Sequence, residues 1–340
     1  MKRKKQTKNL IITMFCVIAI VVLIAAFLVC SEFYGFTRDG KEVNIAVPEG
    51  ATAYDIAAIL EEKGLIGSKQ GYYLYARLTR PGFRHGMHKV DSKSYTGITE
   101  ALCNDGNVVS VNITIPEGYE MKEIANLLAE EGIVSTESFY AAANPSDYDY
   151  WFLEGIPERE EALEGYLFPD TYTISGIESA HRIIDMMLSN FDRRITPEMR
   201  QSAQNSELSF DEIITLASII EREAADHNEF PKVAGVFYNR LNFVGESNGY
   251  LESCATVQYI LKERKNVLSV ADTQIDSPYN TYKYPGLPAG PIASPGLKAI
   301  KAAIYPENTD YLYFVADGNG RHYFAKDYQT HLENTKKAGL

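Results

Sequence analysis

The sequence predicts an α+β protein behind a single N-terminal transmembrane helix. Three observations carry this prediction. The run from Leu10 to Cys30 contains no charged residue. A strand–turn–helix pattern that starts at Val43 recurs from Val111. Beyond residue 146, stretches with helical apolar spacing alternate with loops and finish in a hairpin pattern. A chain of 340 residues has room for about two domains with real cores.

The apolar run comes first. A helix rises about 1.5 Å per residue, so Leu10–Cys30 is long enough to cross about 30 Å of hydrocarbon. Lys2, Arg3, Lys4, Lys5 and Lys8 precede it without an acid. The positive-inside rule then makes residues 1–9 a cytoplasmic basic tail, residues 10–30 the transmembrane helix, and everything after Cys30 extracytoplasmic. A cleavable signal peptide is the rival reading. Its apolar core runs only about 7–15 residues and ends in small residues. Phe27-Leu28-Val29-Cys30 offers neither an Ala-x-Ala site nor a small residue before the cysteine, so an uncleaved anchor is expected. The net charge is −12, and because the tail is basic, the rest of the chain is more acidic still. Such a surface excludes nucleic acid as a partner; the tail's partner is anionic membrane lipid. Of the four cysteines, Cys16 and Cys30 lie in the anchor. Cys103 and Cys254 are read as buried free thiols, with a bridge between them as the alternative.

Residues 31–42 form a polar juxtamembrane link. Val43-Asn44-Ile45-Ala46-Val47-Pro48-Glu49-Gly50 is then matched by Val111-Asn112-Ile113-Thr114-Ile115-Pro116-Glu117-Gly118. Ile56-Ala57 matches Ile124-Ala125, Leu60 matches Leu128, and Gly64 matches Gly132. The period-2 alternation of Val43, Ile45 and Val47 marks a strand, and Ile56, Ile59 and Leu60 mark a helix face that closes at a C-terminal glycine. A second helix (71–78), a Gly/His loop (81–88), a further helix (95–103) and a turn at Asn104-Asp105-Gly106-Asn107 follow. Strand, helix, helix, strand in this order resembles a LysM-like unit, so residues 43–145 are read as one LysM-like module.

Residues 146–340 are read as the catalytic domain. Glu164 stands in Glu164-Gly165-Tyr166-Leu167-Phe168-Pro169-Asp170-Thr171-Tyr172. A carboxyl pressed against rings is hard to ionise and can serve as a proton donor. The alternative is a surface glutamate before a turn. Helices are expected at 177–191, 210–224 and 230–241. The second is apolar nearly all round, hence central, and ends in Glu221-Arg222-Glu223. Glu223 is read as solvated or salt-bridged, and Glu221 is open between that and a cleft-lining role. Asn239-Arg240 are polar groups beside a packed face. Leu251-Glu252-Ser253-Cys254-Ala255 leads into a short helix. Residues 276–296 hold too many Pro and Gly for helix or strand and are expected to wall a site with Tyr279, Asn280, Thr281, Tyr282 and Tyr284. Residues 311–316 and 322–325 read as a hairpin around Asp317-Gly318-Asn319-Gly320.

No phosphate loop, nucleophile elbow or zinc spacing is present in the sequence. His85 and His88 sit in a loop without other ligand types nearby, and Cys254 lacks an identifiable histidine partner. No metal and no cofactor are expected.

Several of these motifs, in this order, resemble the endolytic murein transglycosylases, the YceG-like family, over nearly the whole chain after the tail. The carriers are the Glu164–Tyr172 stretch, Ala217-Ser218-Ile219-Ile220-Glu221-Arg222-Glu223, Val236-Phe237-Tyr238-Asn239-Arg240-Leu241, Ser277-Pro278-Tyr279-Asn280-Thr281-Tyr282, Pro285-Gly286-Leu287-Pro288, Gly290-Pro291-Ile292 and Thr309-Asp310-Tyr311-Leu312-Tyr313-Phe314-Val315. One stretch departs: where the family commonly has Leu-Gln-Ser-Asp-Pro-Thr-Val, this chain has Leu251-Glu252-Ser253-Cys254-Ala255-Thr256-Val257. The resemblance implies cleavage of MurNAc–GlcNAc β-1,4 bonds in nascent peptidoglycan strands at a bacterial cell membrane, leaving 1,6-anhydro-MurNAc ends and limiting strand length. It implies Glu164 as the catalytic acid and base, and Tyr166, Asn239, Glu252, Tyr279, Asn280 and Thr281 as substrate contacts, with Glu221 and Glu223 in support. Peptidoglycan synthases are implied partners. Two other readings stand beside it: a non-catalytic, membrane-tethered glycan-binding scaffold, and a hydrolase that pairs Glu164 with Glu221.

Overall fold

The apolar run lies within one long helix, α1 (Lys2–Tyr34). From Met14 to Tyr34 it is long and apolar enough to cross a membrane. Its end is tied down within the first unit of the chain. The Glu32 carboxylate accepts from the Gly67 amide and the Tyr95 hydroxyl, each at 2.8 Å. It also pairs with Arg38 at 2.5 Å. The computed structural model describes residues 2–48, 50–90, 93–104, 110–175, 178–242, 248–262, 265, 267–317 and 320–339. The expected turns at Asp105-Gly106-Asn107 and Gly318-Asn319 lie outside these residues, as do Glu49 and Gly245.

The chain divides into two compact units, residues 1–111 with 131–133 and 174–178, and residues 112–130, 134–173 and 179–340. This division falls between the two copies of the repeat, whereas the sequence reading grouped both copies in one module ending at residue 145.

The first unit contains β1 (Val43–Val47), α2 (Ala53–Glu62), α3 (Lys69–Thr79), β2 (Gly86–Val90) and α4 (Tyr95–Cys103). β1 and β2 pair antiparallel, with Val43 opposite Val90 and Val47 opposite Gly86. The expected loop at 81–88 therefore ends in a strand. His88 is buried there, its Nε2 2.9 Å from the Arg84 carbonyl, and does not face out beside His85. Thr52 and Asp55 form a capping box that closes the start of α2. The core joins Ile45, Val47, Ile56, Leu60, Tyr72, Val90, Ile98 and Leu102.

The second copy repeats the order with β3 (Ser110–Thr114), α5 (Met121–Glu130), α6 (Thr136–Ala142) and β4 (Thr171–Ser175), and β3 pairs with β4. It differs in one connection. In the first copy a short loop, 80–85, leads to the second strand; in the second copy a long excursion, 143–170, takes its place and carries Glu164.

The rest of the second unit is α7 (Ala180–Arg194), α8 (Pro197–Gln204), α9 (Phe210–Glu223), α10 (Phe230–Leu241), α11 (Cys254–Leu261), α12 (Leu297–Ile304), the antiparallel hairpin β5 (Tyr313–Ala316) and β6 (His322–Ala325), and α13 (Tyr328–Ala338). α9 is central. Ser209 and Glu212 form its capping box, and every side chain from Ile213 to Ile220 is buried. It packs against α8, α10, α11 and α12. Each fully buried isoleucine contributes about 1.5–3 kcal/mol, so the axis of α9, and the direction of its last turn, is firmly set. The buried Ser218 hydroxyl accepts the Ile292 amide at 3.0 Å and so fastens the 276–296 loop to this helix. That loop has no helix or strand, as its composition requires. α12 and α13 were not anticipated.

Candidate active site

Burial pushes up the pKa of three glutamates of the second unit, Glu164, Glu221 and Glu223, in different surroundings. Glu164 lies on a tight turn that needs Gly165: the glycine has φ +86°, and a Cβ there would meet the Pro291 side chain at 2.5 Å. The Glu164 oxygens accept the Met121 amide at 3.0 and 3.1 Å, and Oε1 lies 3.3 Å from the Gly165 amide. Met121 is the first residue of α5, so Glu164 caps an unsatisfied helix N-terminus. The group is 0% exposed. Burial, then the nearby Glu161 and Glu120, push its pKa well up against the opposing Met121 amide. Tyr259, Tyr279, Glu120 and Glu161 line a neighbouring cavity of 180 Å³, but Glu164 is not among its lining residues. The carboxyl is buried.

Glu223 ends α9 at the floor of an open cleft of 380 Å³. It retains some solvent exposure, while the protein enclosing its carboxyl pushes the pKa up. The Ser253 hydroxyl donates to Glu223 Oε1, and the Ala255 amide, His322 and Arg240 also favour the carboxylate. The raised pKa is thus the surplus of burial over these groups. Arg240 is fixed by donating to the carbonyls of Leu312 (2.7 Å) and Leu251 (2.5 Å). Glu252 stands at the rim, half exposed, 3.9 Å from Arg240, with a left-handed backbone, φ +47°. Cys254 Sγ lies 3.1 Å from the Tyr282 hydroxyl. Burial pushes this thiol's pKa up, the reverse of what a thiolate nucleophile needs.

The structure therefore redistributes the sequence-derived site. Glu252 and Glu223 meet in one cleft. Glu164, the expected proton donor, is buried and caps the start of α5. Tyr166 is fully buried and donates to Asp211 at 2.6 Å. Asn239 donates to the carbonyls of Thr309 (2.7 Å) and Tyr311 (2.9 Å). Asn280 is 1% exposed and donates to the carbonyls of Thr273 (3.1 Å) and Ile275 (2.8 Å). Thr281, equally buried, accepts the Ser253 amide at 3.0 Å and thereby holds the loop that carries Glu223's partner. These four expected substrate contacts all hydrogen-bond within the protein, and Asn239 keeps partial solvent exposure. Tyr279 lines the 180 Å³ cavity beside Tyr259 and is absent from the lining of the Glu223 cleft. Glu221 accepts the Gly296 amide at 2.9 Å, and burial pushes its pKa up to about 7. All four cysteines are free thiols.

Sequence reasoning missed Arg240, Ser253, Tyr313 and His331 as cleft residues. Only the adjacency of Glu252 and Ser253 in the departing motif pointed there. Among the described residues, Glu117, Glu221 and His227 bring metal-ligating atoms within 4.8 Å of one another. Glu221 already serves the start of α12, which accounts for its position without an ion.

A carboxyl with a raised pKa that lines a polar, aromatic cleft can deliver a proton to a bound oxygen and take one back. Comparison with known proteins gives this geometry its context. The model of the YceG-like family matches residues 45–337, so the chain belongs to that family. A Bacillus subtilis (strain 168) protein named endolytic murein transglycosylase is 31% identical over 314 residues, covering 88% of this chain and 86% of that one. A Streptococcus pneumoniae (serotype 2, strain D39) protein of the same name is 32% identical over 323 residues; the match covers 86% of this chain and 58% of the pneumococcal protein. The 2.6 Å crystal structure of a yceG-like protein from Listeria monocytogenes is similar with a TM-score of 0.59 at 30% identity, over 87% of this chain and 99% of that chain.

Proposed function

We propose that this protein is a peptidoglycan lytic transglycosylase that cleaves MurNAc–GlcNAc β-1,4 bonds within glycan strands, with Glu223 as its acid and base. The names of its relatives support the substrate. The observation that carries the chemistry is Glu223 itself, a carboxyl with raised pKa on the floor of an open cleft.

Glu223, protonated, gives its proton to the glycosidic oxygen as the C1–O bond breaks. The carboxylate left behind accepts the C6 hydroxyl proton of the same MurNAc, and O6 bonds to C1 to close the 1,6-anhydro ring. No water is consumed and the proton returns to Glu223. A glycosidase acting on water needs a second carboxyl at about 5–9.5 Å; here the substrate supplies its own nucleophile. The Ser253 hydroxyl and Ala255 amide stabilise the carboxylate formed midway, and Arg240 adds positive charge.

α1 anchors the chain, with the basic tail in the cytoplasm and the cleft outside, so that it meets strands near the bilayer and limits their length. The LysM-like part of the chain from residue 43 serves as spacer or glycan contact, and synthases that extrude the strands are the fitting partners. The test is mass spectrometry of un-crosslinked glycan strands incubated with the full chain in detergent. Internal fragments with 1,6-anhydro ends are expected. Reducing MurNAc ends would indicate a hydrolase, and binding without cleavage a scaffold.

A further inference from the structure

The wall of the Glu223 cleft formed by the last helix has no role in the proton transfer just described. Tyr328, His331 and Thr335 of α13 all line this cleft. They are spaced i, i+3 and i+7, one face of a helix. Tyr313 of β5 completes the wall. Its ring stacks with that of His331 at 5.2 Å and 22° and lies 6.0 Å from that of Tyr328. The Arg240 guanidinium sits over the Tyr313 ring at 5.4 Å.

This wall is built rigidly. Asp327 caps α13 by accepting the Thr330 amide at 2.8 Å, and the buried Asn334 donates to the Phe324 carbonyl. Two features of this wall stand out among the described residues. Tyr328 is 54% exposed, a large ring facing solvent beside a polar cleft. His331 Nδ1 is buried and makes no hydrogen bond. Burial and Arg240 hold this imidazole's pKa down, so near neutrality the ring is uncharged and offers one donor and one acceptor. A flat aromatic ledge beside a cleft-lining imidazole suits a ligand with a C–H face and a ring of hydroxyl or amide groups.

We propose that Tyr328 and His331, with Tyr313 behind them, form a sugar-binding subsite that holds one pyranose of the strand next to the scissile bond. The ring of that sugar lies on Tyr328, and the cleft-lining imidazole of His331 hydrogen-bonds a hydroxyl or N-acetyl group. The inference rests on the reading of this cleft as the glycan site and names residues that bind and do not transfer protons.

The test uses the full chain in detergent. Un-crosslinked glycan strands are titrated onto Glu223→Gln, which leaves them intact, with and without Tyr328→Ala, Tyr328→Phe, His331→Ala and His331→Asn. The same α13 substitutions are assayed kinetically in the active chain. Tyr328→Ala is expected to weaken binding about tenfold or more and to raise KM by a similar factor, with kcat within about twofold. Tyr328→Phe keeps the ring and is expected to bind like the parent. His331→Ala is expected to weaken binding about fivefold, and His331→Asn, which keeps a donor and an acceptor, to restore part of it. Parent-like binding and KM in both alanine variants, or a Tyr328→Phe as weak as Tyr328→Ala, overturns the subsite. If the parent binds strands without cleaving them while Tyr328→Ala loses binding, the chemistry fails and the subsite stands. Normal cleavage with silent α13 variants is the reverse.

Discussion

Glu164 and Glu223 are both acids whose pKa values their surroundings push up, and the comparison separates two uses of the same physics. Glu164 is fully buried, and its carboxyl accepts the Met121 amide at the start of α5 and the amide of the adjacent Gly165. Glu223 keeps some exposure and lines a cleft. A raised pKa marks a carboxyl as desolvated; only access makes it an acid that substrate can use.

The repeat explains why Glu164 is where it is. In the first copy, Thr52 and Asp55 close the start of α2 from within. In the second copy, Glu120 and Glu123 occupy the matching positions. Glu123 still accepts the Glu120 amide at 2.9 Å, but the Met121 amide is given to Glu164. The long excursion that replaces the first copy's short loop is thus pinned to its own repeat by the cap that the second helix lacks.

The comparison is broken or sharpened by substitution. The largest effect is expected at the cleft. Glu223→Gln should lower kcat by about 10²–10⁴-fold with little change in thermal midpoint, as followed by strand-cleavage rates and circular dichroism. Next comes the buried acid. Glu164→Ala leaves the Met121 amide buried without an acceptor and should cost about 1–3 kcal/mol of stability in denaturant unfolding, whereas Glu164→Gln keeps the acceptor and should cost much less. Asn280→Ala removes the donor to two carbonyls and should likewise lower stability by about 1–3 kcal/mol. A raised KM at unchanged stability would return Asn280 to the substrate.

The smallest effect is a pH dependence at Glu221. Its pKa rises from 4.5 to about 7 on folding. The folded state therefore binds the proton more tightly, and this contribution is full below about 4.5 and lost as pH rises through about 7. Glu221→Gln should match the parent's thermal midpoint near pH 4.5 and exceed it by a few degrees, about 2–4 °C, near pH 8. Equal midpoints at both pH values would show Glu221 ionising freely.

Much of the fold was legible because its signals are local. The apolar run, the repeat, and the helices ending at Glu223 and Leu241 follow from periodicity and caps. β2 was read as loop because a glycine and a histidine precede Lys89-Val90, and only pairing with β1 buries His88. α13 was missed because Tyr328, His331 and Thr335 make a polar face aimed at a cleft, not an apolar face aimed at a core. The site was less legible for a related reason. Apolar neighbours in sequence show that Glu164 is buried, but not which side is open. Glu223 reads as a solvated helix end until Ser253, far along the chain, folds over it. Asn239 and Asn280 are polar and loop-adjacent, as ligand contacts are, yet their amides brace backbone carbonyls.

The most direct measurement places the Glu223→Gln and Glu164→Gln full chains beside the parent on un-crosslinked glycan strands, with products read by mass spectrometry. The account predicts 1,6-anhydro-ended internal fragments from the parent and from Glu164→Gln at rates within about threefold of each other, the carboxamide being able to keep the cap's acceptor, and none from Glu223→Gln. Loss of fragments in a folded Glu164→Gln, with Glu223→Gln still cleaving, would contradict it and return the proton to the buried acid.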